Sequence, residues 1–294
     1  MSLMLNTRFK CFMQFACLAA LTPAAYGFDW TTTSLSWRNG SQFAEPFNPK
    51  DIRKDILGFT HANGYQYGTN FLNVDYLMSG NNEPRSFGSS DQAREVYVVY
   101  RHTFDVGRIA GTEIRWGAIK GLGVTAGFDF NHKDDAGYNS RKQMFVLGPT
   151  LMLDVPGFLK LSLLQLWESN HPGVSAGAFN PGYPSERYAY KPHPMLSAAW
   201  AIPIQNSLFA FEGYANFIAP KGRDETNNQT VAETNIDMQL MYDLSSQISA
   251  PKNTVRLGLE YQYWKNKFGN SDAKVGARGG NVASTPMVRL EYRF

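Results

Sequence analysis

Residues 255–263 read Val-Arg-Leu-Gly-Leu-Glu-Tyr-Gln-Tyr, and this stretch shows the pattern that decides the fold. Apolar or aromatic residues occupy every second position, and Arg256, Glu260 and Gln262 fall between them. Successive side chains of a β-strand point to opposite sides, so a period of two predicts a strand with one apolar and one polar face. The chain ends on the same pattern, with apolar residues at alternate positions from Val288 to Phe294 and charged residues between them.

The alternation recurs in twelve segments, at about 29–39, 53–62, 66–79, 93–105, 119–132, 142–154, 158–169, 193–203, 207–218, 232–246, 252–266 and 283–294. Short turns near Asn63-Gly64, at 155–157 and at 203–206 alternate with longer polar stretches at 40–52, 80–92, 133–141, 170–192, 219–231 and 267–282. The segment 106–118 is too long for a short turn and is expected to extend strands or to form a small helix. Short turns on one side and long loops on the other are typical of outer-membrane β-barrels. We therefore predict an all-β fold, a 12-stranded antiparallel transmembrane β-barrel with both termini on the periplasmic side.

The composition excludes two broad classes of protein. The chain has 294 residues, with 28 Lys and Arg against 25 Asp and Glu, and a formal net charge of +3. Nucleic-acid binding is driven by counterion release from clustered Lys and Arg, so this chain is not expected to bind nucleic acid. No stretch after residue 27 has about 18 consecutive apolar residues, which excludes a helical membrane protein. A soluble β-sandwich or propeller is the alternative, but charged residues on the second face of nearly every strand disfavour it.

The first 27 residues have the features of a cleaved signal peptide. A basic start precedes an apolar stretch from Cys11 to Leu21, and Ala25-Tyr26-Gly27 matches a small-x-small cleavage site. A short hydrophobic anchor is the alternative. Both cysteines, Cys11 and Cys17, lie in this segment, so residues 28–294 are expected to form one barrel domain without disulfides or Cys-ligated metal. The outer membrane of a Gram-negative bacterium is the expected location.

By alternation, eight carboxylates and five cations face the inside of the barrel: Asp75, Glu95, Asp129, Glu168, Glu212, Asp237, Glu260 and Glu291 against Arg101, Lys160, Arg256, Arg289 and Arg293. Barrels of this size are narrow. A mixed, slightly acidic lumen suits a neutral polar solute better than an acidic sugar. The alternative is that the Glu–Arg pairs are structural and stiffen the wall.

Aromatic side chains also point inward, at Phe71, Tyr97, Tyr214 and Trp264. A nucleobase stacks on an aromatic side chain with roughly 1–3 kcal/mol per base. Three positions on the third strand combine stacking with hydrogen bonding, and they are the first candidates for a substrate site: Phe71, Asn73 and Asp75. The second candidates are Glu95, Tyr97, Arg101, Tyr214, Asn235 and Asp237. No catalytic residue, metal site or cofactor is expected.

The block at 43–79, which opens Phe43-Ala44-Glu45-Pro46-Phe47 and ends Val74-Asp75-Tyr76-Leu77-Met78-Ser79, resembles the nucleoside-specific channel-forming family (Tsx), especially its vibrio-type OmpK branch. The stretches 121–129 and 288–294 also fit, and the resemblance extends over essentially the whole of residues 28–294. It implies a twelve-stranded barrel for passive nucleoside uptake whose outer loops can serve as receptors for bacteriophage or colicins. The terminal Phe294 resembles the signal read by the outer-membrane assembly machinery, which is an expected partner together with outer-membrane lipid.

Three functions are therefore compared. The first is a channel for passive uptake of nucleosides or similar small polar solutes. The second is an enzyme of the lipid-facing wall, for which only His132 is plausibly placed and no Ser-plus-Asn arrangement accompanies it, so the chain is not expected to be an enzyme. The third is a plugged surface barrel that serves as a structural protein or bacteriophage receptor.

Overall fold

The computed structural model describes residues 28–173 and 186–294. The predicted signal peptide and the central part of the predicted loop 170–192 lie outside these residues. Twelve long strands make up the wall, and we number them in chain order: β1 (Trp30–Glu45), β2 (Asn48–Tyr65), β3 (Gly68–Ser79), β4 (Arg94–Asp105), β5 (Ile119–Lys133), β6 (Gln143–Leu153), β7 (Phe158–Asn170), β8 (His193–Pro203), β9 (Phe209–Ile218), β10 (Glu233–Asp243), β11 (Val255–Lys265) and β12 (Val282–Arg293).

The strands close into a barrel. Each strand pairs antiparallel with its neighbours in the chain, and β1 pairs with β12, with Trp37 opposite Leu290. A two-residue strand, Tyr188–Ala189, adds to the end of β7. Closure satisfies the backbone groups that an open sheet edge would leave unpaired. The predicted 12-stranded antiparallel β-barrel is confirmed.

The prediction was wrong at the first hairpin. Residues 40–52 form no long loop, because β1 and β2 extend through them to a turn at Pro46-Phe47, where Phe47 has φ 68°. Register shifts between Gly40 and Phe43 and again between Phe43 and Glu45 interrupt the period of two, which hid the strand from pattern analysis.

The turn between β2 and β3 also lies elsewhere. Its central residues are Gln66-Tyr67, whereas Asn63 and Gly64 are still paired, with Asn70 and Thr69 of β3. The predicted turn near Asn63-Gly64 was therefore three residues too early.

The segment 106–118 contains a short helix, α1 (Val106–Ala110), which was one of the two expected outcomes. Asp105 caps it by accepting a 3.1 Å hydrogen bond from the Arg108 amide, and Gly111 ends it with φ 66°. Within residues 28–173 and 186–294, four other helical segments lie between strands: α2 (Asp272–Val275) and the 3₁₀ turns Ser245–Ile248, Lys267–Gly269 and Gly276–Arg278. No helix in the described part of the chain is long and apolar enough to cross a membrane.

The two faces of the wall have opposite character. Apolar side chains on the outer face are exposed, and Leu259 is 70% exposed. Polar and charged side chains on the inner face are buried, such as Arg256 and Glu260 at 2%. Two apolar clusters also lie inside, one of Met144, Val146, Leu164, Leu166 and Met195, and one of Phe43, Ile52, Ile56 and Met287. We call the end with the connections 80–93, 134–142, 171–192, 219–232 and 266–281 the loop end, and the opposite end, which holds both ends of the barrel domain, the turn end.

Candidate solute site in the lumen

Contacts between strands that are not neighbours show which side chains face the lumen. The Lys160 ammonium on β7 donates a 2.6 Å hydrogen bond to the Thr69 hydroxyl on β3. Arg38 on β1 lies 3.4 Å from Glu260 on β11. These bonds cross the interior, so Thr69, Lys160, Arg38 and Glu260 point inward. By alternation, all nine candidate site residues share the inner face.

Four inward side chains on β9 and β10 form a patch, which we call the amide–phenol patch: Tyr214, Asn216, Asn235 and Asp237. Tyr214 is directly opposite Asp237, and Asn216 is directly opposite Asn235. The side-chain oxygens of Asn216 and Asn235 are buried and have no hydrogen-bond partner among the described residues. Buried polar atoms are rarely left unsatisfied, so two neighbouring oxygens of this kind indicate a place for a ligand or water. Asp237 accepts one long hydrogen bond, of 3.3 Å from Gln262.

The patch faces a second candidate residue. Tyr214 interacts electrostatically with Asp237, Tyr97 and Asp75, which come from three other strands. The sequence thus predicted side chains that the fold brings together in the middle of the lumen.

Other candidate residues are already engaged with neighbours. Asp75 is ion-paired with Arg38. Arg101 binds Asp129 at 2.5 Å, and the Tyr97 hydroxyl donates to the same carboxylate at 3.2 Å. Such pairs hold the wall and position Tyr97 rather than leave free donors for a solute.

Three further candidates lie away from the amide–phenol patch or are held in place. Glu95 accepts a 2.5 Å hydrogen bond from Asn131 and interacts electrostatically with Lys133, toward the loop end. Asn73 accepts a 2.8 Å hydrogen bond from Thr60. Phe71 follows Thr69 on the inner face near the turn end and is 40% exposed. The structure therefore does not bring all nine predicted residues into one site.

A network of ion pairs lines one side of the lumen, and we call it the charged wall: Arg38, Asp75, Glu212, Arg256, Glu260, Arg289, Glu291 and Arg293. Glu291 is its centre, because it lies within 3.0 Å of Arg256 and Arg289 and 2.7 Å from Arg293. Arg256 also binds Glu212 at 2.6 Å. Each carboxylate of the network has at least one guanidinium partner.

Neutral hydroxyls line the other side, and we call them the hydroxyl wall: Thr103, Thr125, Thr150 and Ser162. They form one hydrogen-bonded row across β4 to β7, with oxygen–oxygen distances of 3.0, 2.6 and 2.8 Å. Lys160 joins the row by donating to Thr103 at 3.2 Å. Its two partners, Thr69 and Thr103, are both neutral.

Buried ions narrow the loop end. Glu83, from the connection between β3 and β4, lies 3.1 Å from Lys54 and is also ion-paired with Lys133. Burial alone would raise the pKa of Glu83, but the attraction of Lys133 and Lys54 outweighs it and lowers that pKa to about 2. The Glu45 carboxylate lies 3.0 to 3.2 Å from the ammonium groups of the same two lysines and of Lys267.

A second ion cluster stands across the mouth. Glu168 lies 3.0 Å from Lys221 and 3.7 Å from Lys142, and Lys221 reaches Glu233 at 3.3 Å. Together the two clusters join five strands and four connections at the loop end.

The lumen holds more charges of both signs than the alternation predicted. Among the described residues, the structure places further cations inside the barrel at Arg38, Lys54, Lys133, Lys142, Lys221 and Lys267, and further carboxylates at Glu45, Glu83, Glu233 and Asp243. Arg38 and Asn216 could have been found by extending the alternation of their strands. Glu83 and Lys267 could not, because they lie between strands.

The described residues contain no group of three or more His, Cys, Asp or Glu side chains that could hold a metal ion. No family model matches the chain, and no curated protein matches it significantly.

Solved structures with similar chain traces are all distant. KdgM porin has a TM-score of 0.41 and 9% identity, covering 89% of this chain and 99% of the porin. The translocator domain of the autotransporter NalP from Neisseria meningitidis has a TM-score of 0.44 and 13% identity over 90% of this chain and 88% of that domain. OmpT, an outer membrane protein of Vibrio cholerae, has a TM-score of 0.35 and 8% identity over 93% of this chain and 99% of OmpT.

Proposed function

We propose that this chain is an outer-membrane channel that conducts small polar solutes, and that nucleosides are the solutes its lumen fits best. The location is supported by the outer face of the barrel, where Leu163 is 56% exposed and Leu259 70%. An apolar exterior around a polar interior is the arrangement of membrane barrels and the reverse of a soluble one.

The observation that carries the proposal is the pair of unpartnered oxygens of Asn216 and Asn235 beside Tyr214. Ribose hydroxyls donate hydrogen bonds to amide oxygens and to a carboxylate such as Asp237. A base stacks on a phenol ring with roughly 1–3 kcal/mol. The amide–phenol patch thus offers both kinds of contact within four side chains.

The balance of charge supports the same class of solute. The inward cations and carboxylates among the described residues are close in number and are mostly paired with each other, so the lumen favours neither sign of charge strongly. Selectivity then depends on hydrogen bonding and width rather than on charge. A neutral nucleoside meets both conditions.

The alternative function is a sealed surface barrel with a structural or receptor role. The ion clusters around Glu83 and Glu168 at the loop end favour it, because they join strands that are not neighbours, such as β1 and β5 through Glu45 and Lys133. A barrel closed in this way would pass neither ions nor solutes, which separates the two functions in one measurement.

The test is planar-bilayer conductance of the purified protein during titration with adenosine, with glucose as the solute control. We expect a small conductance that adenosine blocks and glucose does not. Tyr214→Ala removes the stacking ring and should raise the half-blocking adenosine concentration by roughly tenfold. Tyr242→Ala is the matched control, because Tyr242 lies on the outer face and should leave the block unchanged.

Each remaining result has a definite meaning. Absence of conductance would replace the channel with the sealed barrel. Conductance that adenosine does not affect would keep the channel and reject nucleosides. Equal block in Tyr214→Ala and wild type would place the binding site away from the amide–phenol patch.

A further inference from the structure

A groove of about 470 Å³ lies on the outer wall near the loop end of β1 to β4. Trp37, Met78, Arg53 and Arg94 are among the residues that line it. It lies outside the lumen and takes no part in the channel described above. Its position and its chemistry differ from those of the lumen, so it needs a separate explanation.

The pairing of the strands places two rows of side chains at the groove. One row crosses β1 to β4, with each residue directly opposite the next on the neighbouring strand: Trp37, Leu57, Tyr76 and Val96. Each of these side chains is at least 39% exposed. One step closer to the loop end, the row becomes Asn39, Asp55, Met78 and Arg94. The outer wall therefore changes from apolar to polar at the groove.

Two guanidinium groups border the polar row. The Arg53 side chain is 66% exposed and has a long contact of 3.5 Å with Asp55. Arg94 donates through one of its terminal nitrogens to the backbone carbonyls of Gln92 and Ala93. The fork of an arginine matches a phosphate group, which it binds through two parallel hydrogen bonds.

Asp55 is the one carboxylate among the described residues that line the groove, and its hydrogen bonds hold neighbouring side chains of the wall in place. It accepts hydrogen bonds from the Trp37 indole at 3.2 Å and from Asn39 at 2.8 Å. These contacts hold the indole against the wall and orient Arg53. With two arginines against one carboxylate, the groove keeps a net positive charge.

We propose that this groove binds a phosphate-bearing lipid of the surrounding membrane. Its phosphate lies between Arg53 and Arg94, and its acyl chains pack along Trp37, Leu57, Tyr76 and Val96. Charge complementarity selects the headgroup, and the adjoining apolar row requires a chain that a free phosphate lacks. Indole rings and basic side chains at this boundary are the usual anchors of membrane proteins. The inference rests on the membrane location proposed above and not on the transported solute.

The experiment measures lipid binding to the folded protein in detergent by native mass spectrometry. Phosphatidic acid is compared with phosphatidylcholine of the same acyl chains, and inorganic phosphate is added as a competitor. Wild type should prefer phosphatidic acid, and Arg53→Gln/Arg94→Gln should weaken its binding by about thirtyfold. Arg223→Gln/Arg278→Gln, which removes two exposed arginines from other connections at the loop end, should bind as wild type does.

Wild-type affinity in Arg53→Gln/Arg94→Gln would overturn the proposal, and so would equal binding of the two lipids. Displacement by inorganic phosphate at concentrations similar to those of the lipid would show a phosphate site rather than a lipid site. Conductance and adenosine block should be unchanged in Arg53→Gln/Arg94→Gln. A barrel that binds phosphatidic acid selectively but does not conduct would refute the channel and leave this site standing.

Discussion

The charged wall and the hydroxyl wall line the same lumen but satisfy their polar groups in different ways. Glu291 in the charged wall is 2% exposed and lies within 3.0 Å of three guanidinium groups. Thr150 in the hydroxyl wall is 1% exposed and has only the neutral hydroxyls of Thr125 and Ser162 as side-chain partners. One wall is held by paired charges and the other by short neutral hydrogen bonds.

The difference bears on how a narrow barrel could be rigid and still pass a polar solute, as proposed above. Buried ion pairs hold each other and cannot be separated without leaving a charge uncompensated. Hydroxyls exchange partners at a smaller cost, because each one both donates and accepts. The amide–phenol patch lies on β9 and β10, and β9 also carries Glu212 of the charged wall. A solute at the patch would meet side chains held by the wall, among them the Asn216 and Asn235 oxygens, which have no hydrogen-bond partner among the described residues.

The largest expected effect comes from breaking the charged wall at its centre. Glu291→Gln removes the one negative charge that Arg256, Arg289 and Arg293 share. Removing one partner of a buried ion pair typically destabilises a protein by about 3–5 kcal/mol. The measurement is the free energy of unfolding in detergent, and the heat-dependent shift in gel mobility serves to monitor unfolding.

Glu113→Gln is the control for this prediction, because the Glu113 side chain is 75% exposed and pairs with Arg115 at 3.1 Å. Exposed pairs contribute at most about 1 kcal/mol. Equal losses of stability in Glu291→Gln and Glu113→Gln would mean that the charged wall is hydrated and does not brace the barrel.

A smaller effect is expected in the hydroxyl wall. Thr150→Val keeps the volume of the side chain but leaves Thr125 and Ser162 without their shared partner. An unsatisfied buried polar group costs about 1–3 kcal/mol, which should appear as a lower free energy of unfolding. Thr112→Val, at an exposed position in the connection 106–118, should change stability little. A Thr150→Val loss as large as that of Glu291→Gln would remove the distinction between the two walls.

The sequence was enough to predict which side chains lie on the inner face of the barrel and which on the outer face. Alternation alone places Arg256 and Glu260 on one face and Leu257 and Leu259 on the other, because the geometry of a strand allows only two directions. The same rule fails at Phe43, where two shifts of register interrupt the pattern. Local periodicity therefore predicted the barrel and its strand count but not the length of the first hairpin.

The partners of inward residues could not be predicted in this way. Lys160 bonds to Thr69, four strands away, and Glu83 reaches Lys133 from a connection between strands. Such contacts depend on how the strands are staggered as the barrel closes, which no single strand encodes. The sequence therefore predicted Asp75 and Tyr214 as inward residues. It could not show that Asp75 is ion-paired with Arg38, or that the side-chain oxygen of Asn216 has no hydrogen-bond partner among the described residues.

We expect the smallest effect on stability at Lys160, which carries a positive charge beside the neutral hydroxyl wall. Its ammonium is bound by Thr69 and Thr103, at 2.6 and 3.2 Å, and these hydroxyls do not neutralise it. Lys160→Met removes a charge that costs free energy to desolvate, so the free energy of unfolding should change by less than about 1 kcal/mol. In the proposed channel, the charge should nevertheless act on ions that pass it.

Two unit charges about 4 Å apart in water interact by about 1 kcal/mol, which corresponds to about a fivefold change in an equilibrium. The Lys160 charge attracts an anion and repels a cation by this amount, so the anion-to-cation permeability ratio, measured from reversal potentials in a salt gradient, should fall by up to about twenty-five-fold in Lys160→Met. Lys252→Met, at an exposed position in the connection between β10 and β11, should leave that ratio unchanged. An unchanged ratio in Lys160→Met would mean that the Lys160 side chain does not act on the ions that the barrel conducts.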